Sequence, residues 1–172
     1  MRRLTLIRHA KSSWDDRSLD DFDRPLNPHG WKSARRIGRE LKKKHMRFDI
    51  CVASPAARVR ETLDGLGEGY GQFAFEIRFE RGIYEASVAA LLNVIQELPE
   101  SAADALLVGH NPGLERLIVE LTRRGKLHDE VARKFPTAAV AVAEFPVFRW
   151  SDVQPGTGTL VDLIVPKELS DD

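Results

Sequence analysis

Short apolar runs alternate along this chain with segments whose apolar residues recur every three to four positions. Leu4-Thr5-Leu6-Ile7 is rich in strand formers, too short for a helix and closed at once by polar residues, which predicts a first strand. Asn27-Pro28 supplies a helix cap followed by proline at the first helical position, and Trp31, Ala34, Ile37 and Leu41 repeat at helical spacing. That helix closes on Lys42-Lys43-Lys44, a solvated last turn that complements the helix dipole. Residues 49–53 read as a second strand, and Ser54-Pro55 as a second cap-proline pair. Residues 73–79 alternate apolar with polar positions as a third strand does, and 87–98 carry a helical stripe through Val88, Leu91, Leu92 and Ile95. Ala105-Leu106-Leu107-Val108 is a continuous apolar run suited to a strand covered on both faces, and Asn111-Pro112 opens a further helix. Two closing strands are expected at 138–145 and 159–165, joined by a loop holding Pro146, Pro155, Gly156 and Gly158. This alternation implies a three-layer α/β/α fold with a largely parallel central sheet; with no internal repeat or linker, one domain is expected over residues 1–172.

Composition narrows the function. A chain of 172 residues can bury about 70% of its unfolded surface, enough for a core and a cleft. With 42% apolar and 30% charged residues it is a globular composition, which excludes disorder for most of the chain. Lys and Arg total 26 against 26 Asp and Glu, so nothing in the balance favours nucleic acid or an anionic membrane, and any anion must be held by a local cluster. The single cysteine, Cys51, lies in an apolar run and reads as an inert buried thiol in a reducing compartment. Arg8 and His9 interrupt the N-terminal apolar run well short of a signal peptide, and no stretch approaches the roughly 20 apolar residues of a membrane span. A cytoplasmic protein is expected.

In an open α/β sheet, ligands bind beyond the carboxyl ends of the strands. The first expected strand ends at Arg8-His9, the second at Ser54, with Arg58 and Thr62 one and two turns into the next helix, and the fourth at Gly109-His110. Two histidines and two arginines therefore meet on one rim. Such a set supports phosphoryl transfer: guanidinium groups clamp phosphoryl oxygens, a neutral imidazole attacks phosphorus in line, and the helix N-termini after Ser54 and Asn111 add amide donors. No metal or cofactor is required, and neither His-Glu-x-x-His nor paired cysteines are present to hold zinc. Gly69 to Ala74 matches the dinucleotide pattern G-x-G-x-x-A but follows a helix rather than a strand, so a flexible turn is expected there, in keeping with Gly65 and Gly67. Nucleophile-elbow and phosphate-loop patterns are absent.

Leu6-Ile7-Arg8-His9-Ala10 resembles the Arg-His-Gly signature of the histidine phosphatase superfamily, whose fold is phosphoglycerate-mutase-like. Ser54-Pro55-x-x-Arg58-x-x-x-Thr62 is similar to its second motif and Val108-Gly109-His110-Asn111-Pro112-Gly113 to its third. Together with Arg24-Pro25-Leu26-Asn27-x-x-Gly30 and Phe135-Pro136-Thr137, the likeness spans most of the chain and points to the short, SixA-like branch of phosphohistidine phosphatases. The resemblance implies that His9 is a nucleophile forming a phosphohistidine intermediate, that Arg8 and Arg58 hold phosphate, and that His110 contacts the transferred group. Ala10 replaces the usual glycine, which an extended or bridge conformation tolerates. In larger relatives a glutamate after the third strand protonates the leaving group. Here Glu85 stands near that position as either a catalytic acid or a solvated carboxylate, with Glu80 a weaker competitor. The run Asp15, Asp16, Asp20, Asp21 and Asp23 is a second source of an acid or simply a polar loop.

Small-molecule members of the family carry extra segments that wall in the substrate, whereas here residues 86–104, mostly one helix, separate Glu85 from the fourth strand. An open pocket suits a phosphorylated side chain on another protein, and the labile P–N bond of phosphohistidine needs less help from an acid than an alkyl ester. Three readings follow: a metal-independent phosphatase for phosphohistidine in proteins, a phosphatase or mutase for a small phosphorylated metabolite, and a non-catalytic phosphate-binding module. The complete set of Arg8, His9, Arg58 and His110 speaks against the last, because a binder has no need of a nucleophile. Inorganic phosphate or sulfate is expected among these four. Lys11, Ser12, Ser13 and Trp14 are either contacts to phosphate or a partner, or ordinary loop residues; His29, His45 and His128 are expected at the surface.

Overall fold

The computed structural model describes residues 1–169; the last three residues of the expected 1–172 span lie outside the described residues. Strands β1 (Arg2–Arg8), β2 (Ile50–Ala53), β3 (Glu76–Phe79), β4 (Asp104–Gly109), β5 (Val140–Phe145) and β6 (Thr159–Ile164) form one sheet in the order β3-β2-β4-β1-β5-β6. β3, β2, β4 and β1 run parallel, as expected, while β5 is antiparallel to both β1 and β6. The reversal has a local cause: the Ala138 amide donates to the carbonyls of Arg8 and His9, so the chain enters β5 where β1 ends and must run back along it.

The pleat of the central strands divides the core. Leu106 and Val108 of β4 pack with Ile7, Cys51 and Ala53 under helices α1 (Pro28–Lys43) and α2 (Ala57–Tyr70). Ala105 and Leu107 point the other way, with Leu4, Leu6 and Val52, under α3 (Val88–Gln96), α4 (Gly113–Leu121) and α5 (Lys126–Arg133). Alternate residues thus serve opposite layers, which is why β4 reads as an unbroken apolar run. Asn27 caps α1 as expected, accepting from the Gly30 amide at 2.7 Å.

Four local expectations are corrected. α2 runs through Gly65 and Gly67 to Tyr70, and the turn falls at Gly71, whose φ of 100° is left-handed. Gly65 and Gly69 serve helix packing instead, since a Cβ on them would stand 2.7 Å from Ala34 Cβ and 2.1 Å from the Arg35 carbonyl oxygen of α1, respectively. Ser54 does not cap α2, which begins at Ala57; its hydroxyl accepts from the Ala56 amide and turns toward the site. β3 is confined to its last four residues because Phe73 and Phe75 leave the strand to stack on each other, and Phe75 reaches Phe48. α5 is a separate helix, and on it His128 is buried rather than exposed, donating from Nε2 to the Val119 carbonyl at 3.0 Å. That carbonyl lies in the last turn of α4, where helical acceptors lack partners. The β5–β6 loop is likewise anchored, its buried Trp150 donating Nε1–H to the Ala102 carbonyl at 2.7 Å.

Candidate active site

Strand register brings the polar residues together. Arg8 of β1 pairs with Gly109 of β4, and Ala53 of β2 with Val108, so His9, His110 and Ser54 leave three neighbouring parallel strands at one rim. The His9 backbone is held from both sides, its amide donating to Gly109 O and its carbonyl accepting from Ala138 N, each at 3.0 Å. The His9 and His110 rings lie 5.3 Å apart between centroids. Arg58 reaches the same rim from the first turn of α2. Thr62, one turn further, accepts from the Ala10 amide at 2.9 Å and donates to the Arg58 carbonyl at 2.6 Å, tying helix to strand end. Ala10 needs no glycine-like conformation, for its φ is not among the positive values of the chain.

His9 Nδ1 is 2.7 Å from the Ala10 carbonyl. A carbonyl only accepts, so Nδ1 carries the proton and the lone pair of the neutral ring is on Nε2. Burial, reinforced by Arg58, Arg8 and Arg24, lowers the His9 pKa to about 4 against the weaker opposing pull of that hydrogen bond. Burial and then the His9 and Arg58 charges lower His110 to about 3. Its Nε2 is 2.8 Å from Ser54 Oγ, while Nδ1 is buried without a partner among the described residues, as are Nε of Arg8 and Nε of Arg58. Arg8 donates to the Phe135 carbonyl at 3.2 Å, and the Asn111 side-chain amide to the same oxygen at 2.9 Å, which places the Phe135-Pro136-Thr137 segment beside the pocket. Buried donors left unpaired next to two neutral imidazoles form a cradle suited to an oxyanion.

The opposite wall centres on Asp21. Arg58 donates to its backbone carbonyl at 2.7 Å and to Oδ2 at 3.0 Å; the Tyr84 hydroxyl donates to Oδ2 at 2.6 Å, and Arg24 donates to Oδ1 at 3.0 Å. Partial burial works against ionisation here, but the bonds from Tyr84, Arg24 and Arg58 prevail and hold the carboxyl well below the usual carboxylate range. Asp21 is therefore a fixed anion and not a proton donor. Tyr84 packs edge-on against His110, and burial, then its bonds to Asp21 and Glu85, push its hydroxyl up to about 12. Glu85 is exposed, within reach of that hydroxyl, and has a left-handed φ of 54°, uncommon outside glycine. Glu80 acts on Arg78 rather than on the histidines.

All four residues expected on the rim are thus together, with Glu85 at the margin. Ser54 was expected at this rim only as a helix cap, Asp21 only as one member of an acidic run, and Tyr84 not at all. For Ser54 the usable signal is its position directly after a strand; for Tyr84 it is adjacency to Glu85. Among the described residues no group of three or more His, Cys, Asp or Glu is placed to hold a metal ion, and no helix is long and apolar enough to cross a membrane.

Comparison with known proteins follows the same geometry. The family model described as histidine phosphatase superfamily (branch 1) matches residues 4–143. The Mycobacterium tuberculosis protein Rv1276c is 30% identical over 165 residues, 94% of this chain and 100% of its own length. A candidate phosphohistidine phosphatase SixA from Nakamurella multipartitia superposes with a TM-score of 0.83 at 30% identity, covering 96% of each chain. A second, from Agrobacterium tumefaciens, gives 0.82 at 28% identity, covering 96% of this chain and 98% of its own. With the motif match, these likenesses show that the chain belongs to the histidine phosphatase superfamily, branch 1, within which it is SixA-like.

Proposed function

We propose that this protein is a phosphatase that uses His9 as nucleophile and acts on phosphohistidine in other proteins. Membership of the superfamily and the likeness to SixA proteins support phosphatase activity. The observation that carries the mechanism is the His9 tautomer: Nδ1–H is committed to the Ala10 carbonyl, which leaves the Nε2 lone pair free at neutral pH. Nε2 attacks phosphorus, the P–N bond to the substrate imidazole breaks with its electron pair going to the imidazole nitrogen, and that nitrogen takes a proton from water. Water then attacks phospho-His9, giving inorganic phosphate and restoring the Nε2 lone pair. Arg8 and Arg58 neutralise the equatorial oxygens in both steps. Ser54, which already accepts from the Ala56 amide, donates its own proton to His110 Nε2 and so places the His110 proton on the unpartnered Nδ1, facing the transferred group. The positive charge supplied by these side chains does the work that a metal does in other phosphoryl-transfer sites. Inorganic phosphate or sulfate binds in the same cradle as product or product analogue. Glu85 supplies a proton when the leaving group is a poorer one, and its strained backbone beside Tyr84 supports that role.

The test is a brief incubation with a phosphohistidine peptide, an alkaline quench and mass spectrometry. Phosphate is expected on His9 in the wild type and none in His9→Asn; a label on serine or aspartate overturns the mechanism. If one small alkyl phosphate is turned over far faster than any phosphohistidine protein, the metabolite-phosphatase reading replaces this one.

A further inference from the structure

A groove of about 460 Å³ opens beside the site, lined by Trp14, Asp16, Arg17, Leu19, Asp21 and Arg24. Two of its walls are large apolar side chains left in water: Trp14 is 72% exposed and Leu19 38%. Trp14 is held in place from beneath, where the Arg24 guanidinium lies 3.6 Å from its ring centroid and is itself tied to Ser12, Ser13 and Asp21. A fixed, exposed indole is a low-entropy contact surface. The groove also adjoins the catalytic pocket, because Asp21 and Arg24 line it and Asp21 bonds Arg58 directly.

The charge of this rim is opposite to that of the pocket. Inside are Arg8, Arg58 and the unpaired donors of His110 and Arg58, which mark the place of an oxyanion. Outside, Asp15, Asp16, Asp20 and Asp23 are exposed, and none of the four makes an ion pair among the described residues. The cations of this rim are Arg17 and Arg24 on the groove wall, the second committed to Asp21 beneath Trp14, and Arg81, which is stacked 4.1 Å over Phe22. A ligand anionic throughout, such as a metabolite bearing a second phosphate or several carboxylates, meets repulsion there. A phosphoryl group carried by a cationic segment does not.

We propose that the Trp14–Leu19 groove docks the substrate protein through a segment next to its phosphohistidine that carries lysine or arginine together with an apolar side chain. The apolar side chain lies against Trp14 and Leu19, the cations face Asp15, Asp16, Asp20 and Asp23, and the phosphoryl group reaches Arg8 and Arg58. This rests on the phosphohistidine reading above and adds to it the chemistry of the substrate's flanks.

The experiment compares three phosphohistidine substrates: the free amino acid, a peptide with Lys and Leu flanks, and a peptide with Glu and Ser flanks. Wild type is expected to favour the cationic peptide over the anionic one by about tenfold in kcat/KM, mostly through KM, with the preference shrinking as salt rises. Asp15→Asn with Asp20→Asn should erase most of the charge preference, and Leu19→Ser should raise KM for the Leu-bearing peptide. Both should leave turnover of the free amino acid unchanged. Trp14→Ala should raise the peptide KM further. Equal turnover of both peptides, a preference for the anionic one, or a cationic preference that survives these variants overturns the groove while leaving the phosphohistidine reading intact. If none of the three is hydrolysed but an alkyl phosphate is, the function itself fails, and the docking proposal with it.

Discussion

On one side of the site, His9, Ser54 and His110 stand on the ends of β1, β2 and β4, where parallel register sets their height and backbone bonds on either flank hold His9. On the other side, Asp21, Arg24 and Tyr84 come from turns with no strand beneath them and are held by side-chain bonds that converge on one carboxylate. The first wall is rigid because the sheet is. The second is rigid only while Asp21 keeps its partners. Arg58 joins them, rooted in α2 but bonded to Asp21 through both terminal nitrogens. In the mechanism proposed above, the nucleophile stands on the sheet, which can hold it to within a fraction of an ångström, and the Asp21 wall is left to face the leaving group.

The largest effect expected from dividing the walls is on Arg58. Arg58→Ala should lower kcat/KM by about a hundredfold, about 3 kcal/mol for a charge-assisted clamp on the transition state. Arg60→Ala should stay near wild type, since Arg60 bonds the Pro55 carbonyl and stacks over Phe79 away from the pocket. Equal losses would show that the clamp is misassigned.

Asp21→Asn isolates the adjustable wall. Without the charge, Arg58 and Arg24 lose their common anion, and kcat should fall by roughly tenfold while KM for a phosphorylated substrate falls or holds. A faster variant would mean that Asp21 competes with phosphate for Arg58 rather than orienting it.

Glu85→Gln should change phosphohistidine hydrolysis by less than about threefold, because the imidazole leaving group is readily protonated by water, but should cripple turnover of an alkyl phosphate. Negligible losses on both would make Glu85 a surface residue. Smaller still is the effect of chelators, which should leave activity unchanged in a stopped assay.

Acid should act on both walls in the same direction. The His9 and His110 pKa values near 4 and 3 lie below the unfolded value of about 6.5, so as pH falls through that window the unfolded chain takes up protons first and stability declines. Asp21, held low by its donors, adds a further loss below about pH 4, where the unfolded carboxyl protonates. Denaturant midpoints should therefore drop steadily from pH 7 to pH 4, and a midpoint that stays level would contradict the buried neutral state of the two rings.

The rim was legible in the chain because its signals are local. Short apolar runs mark strands and the residues closing each run fall at the carboxyl edge, which places Arg8, His9 and His110, while Arg58 follows from its position in the first turn of the helix after the second run. Cap chemistry worked where one side chain meets one nearby amide, as at Asn27, and failed at Ser54, whose hydroxyl also reaches a histidine 56 positions away. His128 was misplaced for the same reason, since its partner is a carbonyl on another helix.

Periodicity and residue type were therefore sufficient for the layer order, the parallel centre of the sheet and the rim residues, all of which depend on spacings within about a dozen positions. The direction of β5, the Asp21 knot and the pairing of Ser54 with His110 were decided by the packed structure. Each of these depends on a buried polar group finding its partner across a long stretch of chain, and the cost of leaving such a group unpaired is set only once the core has excluded water.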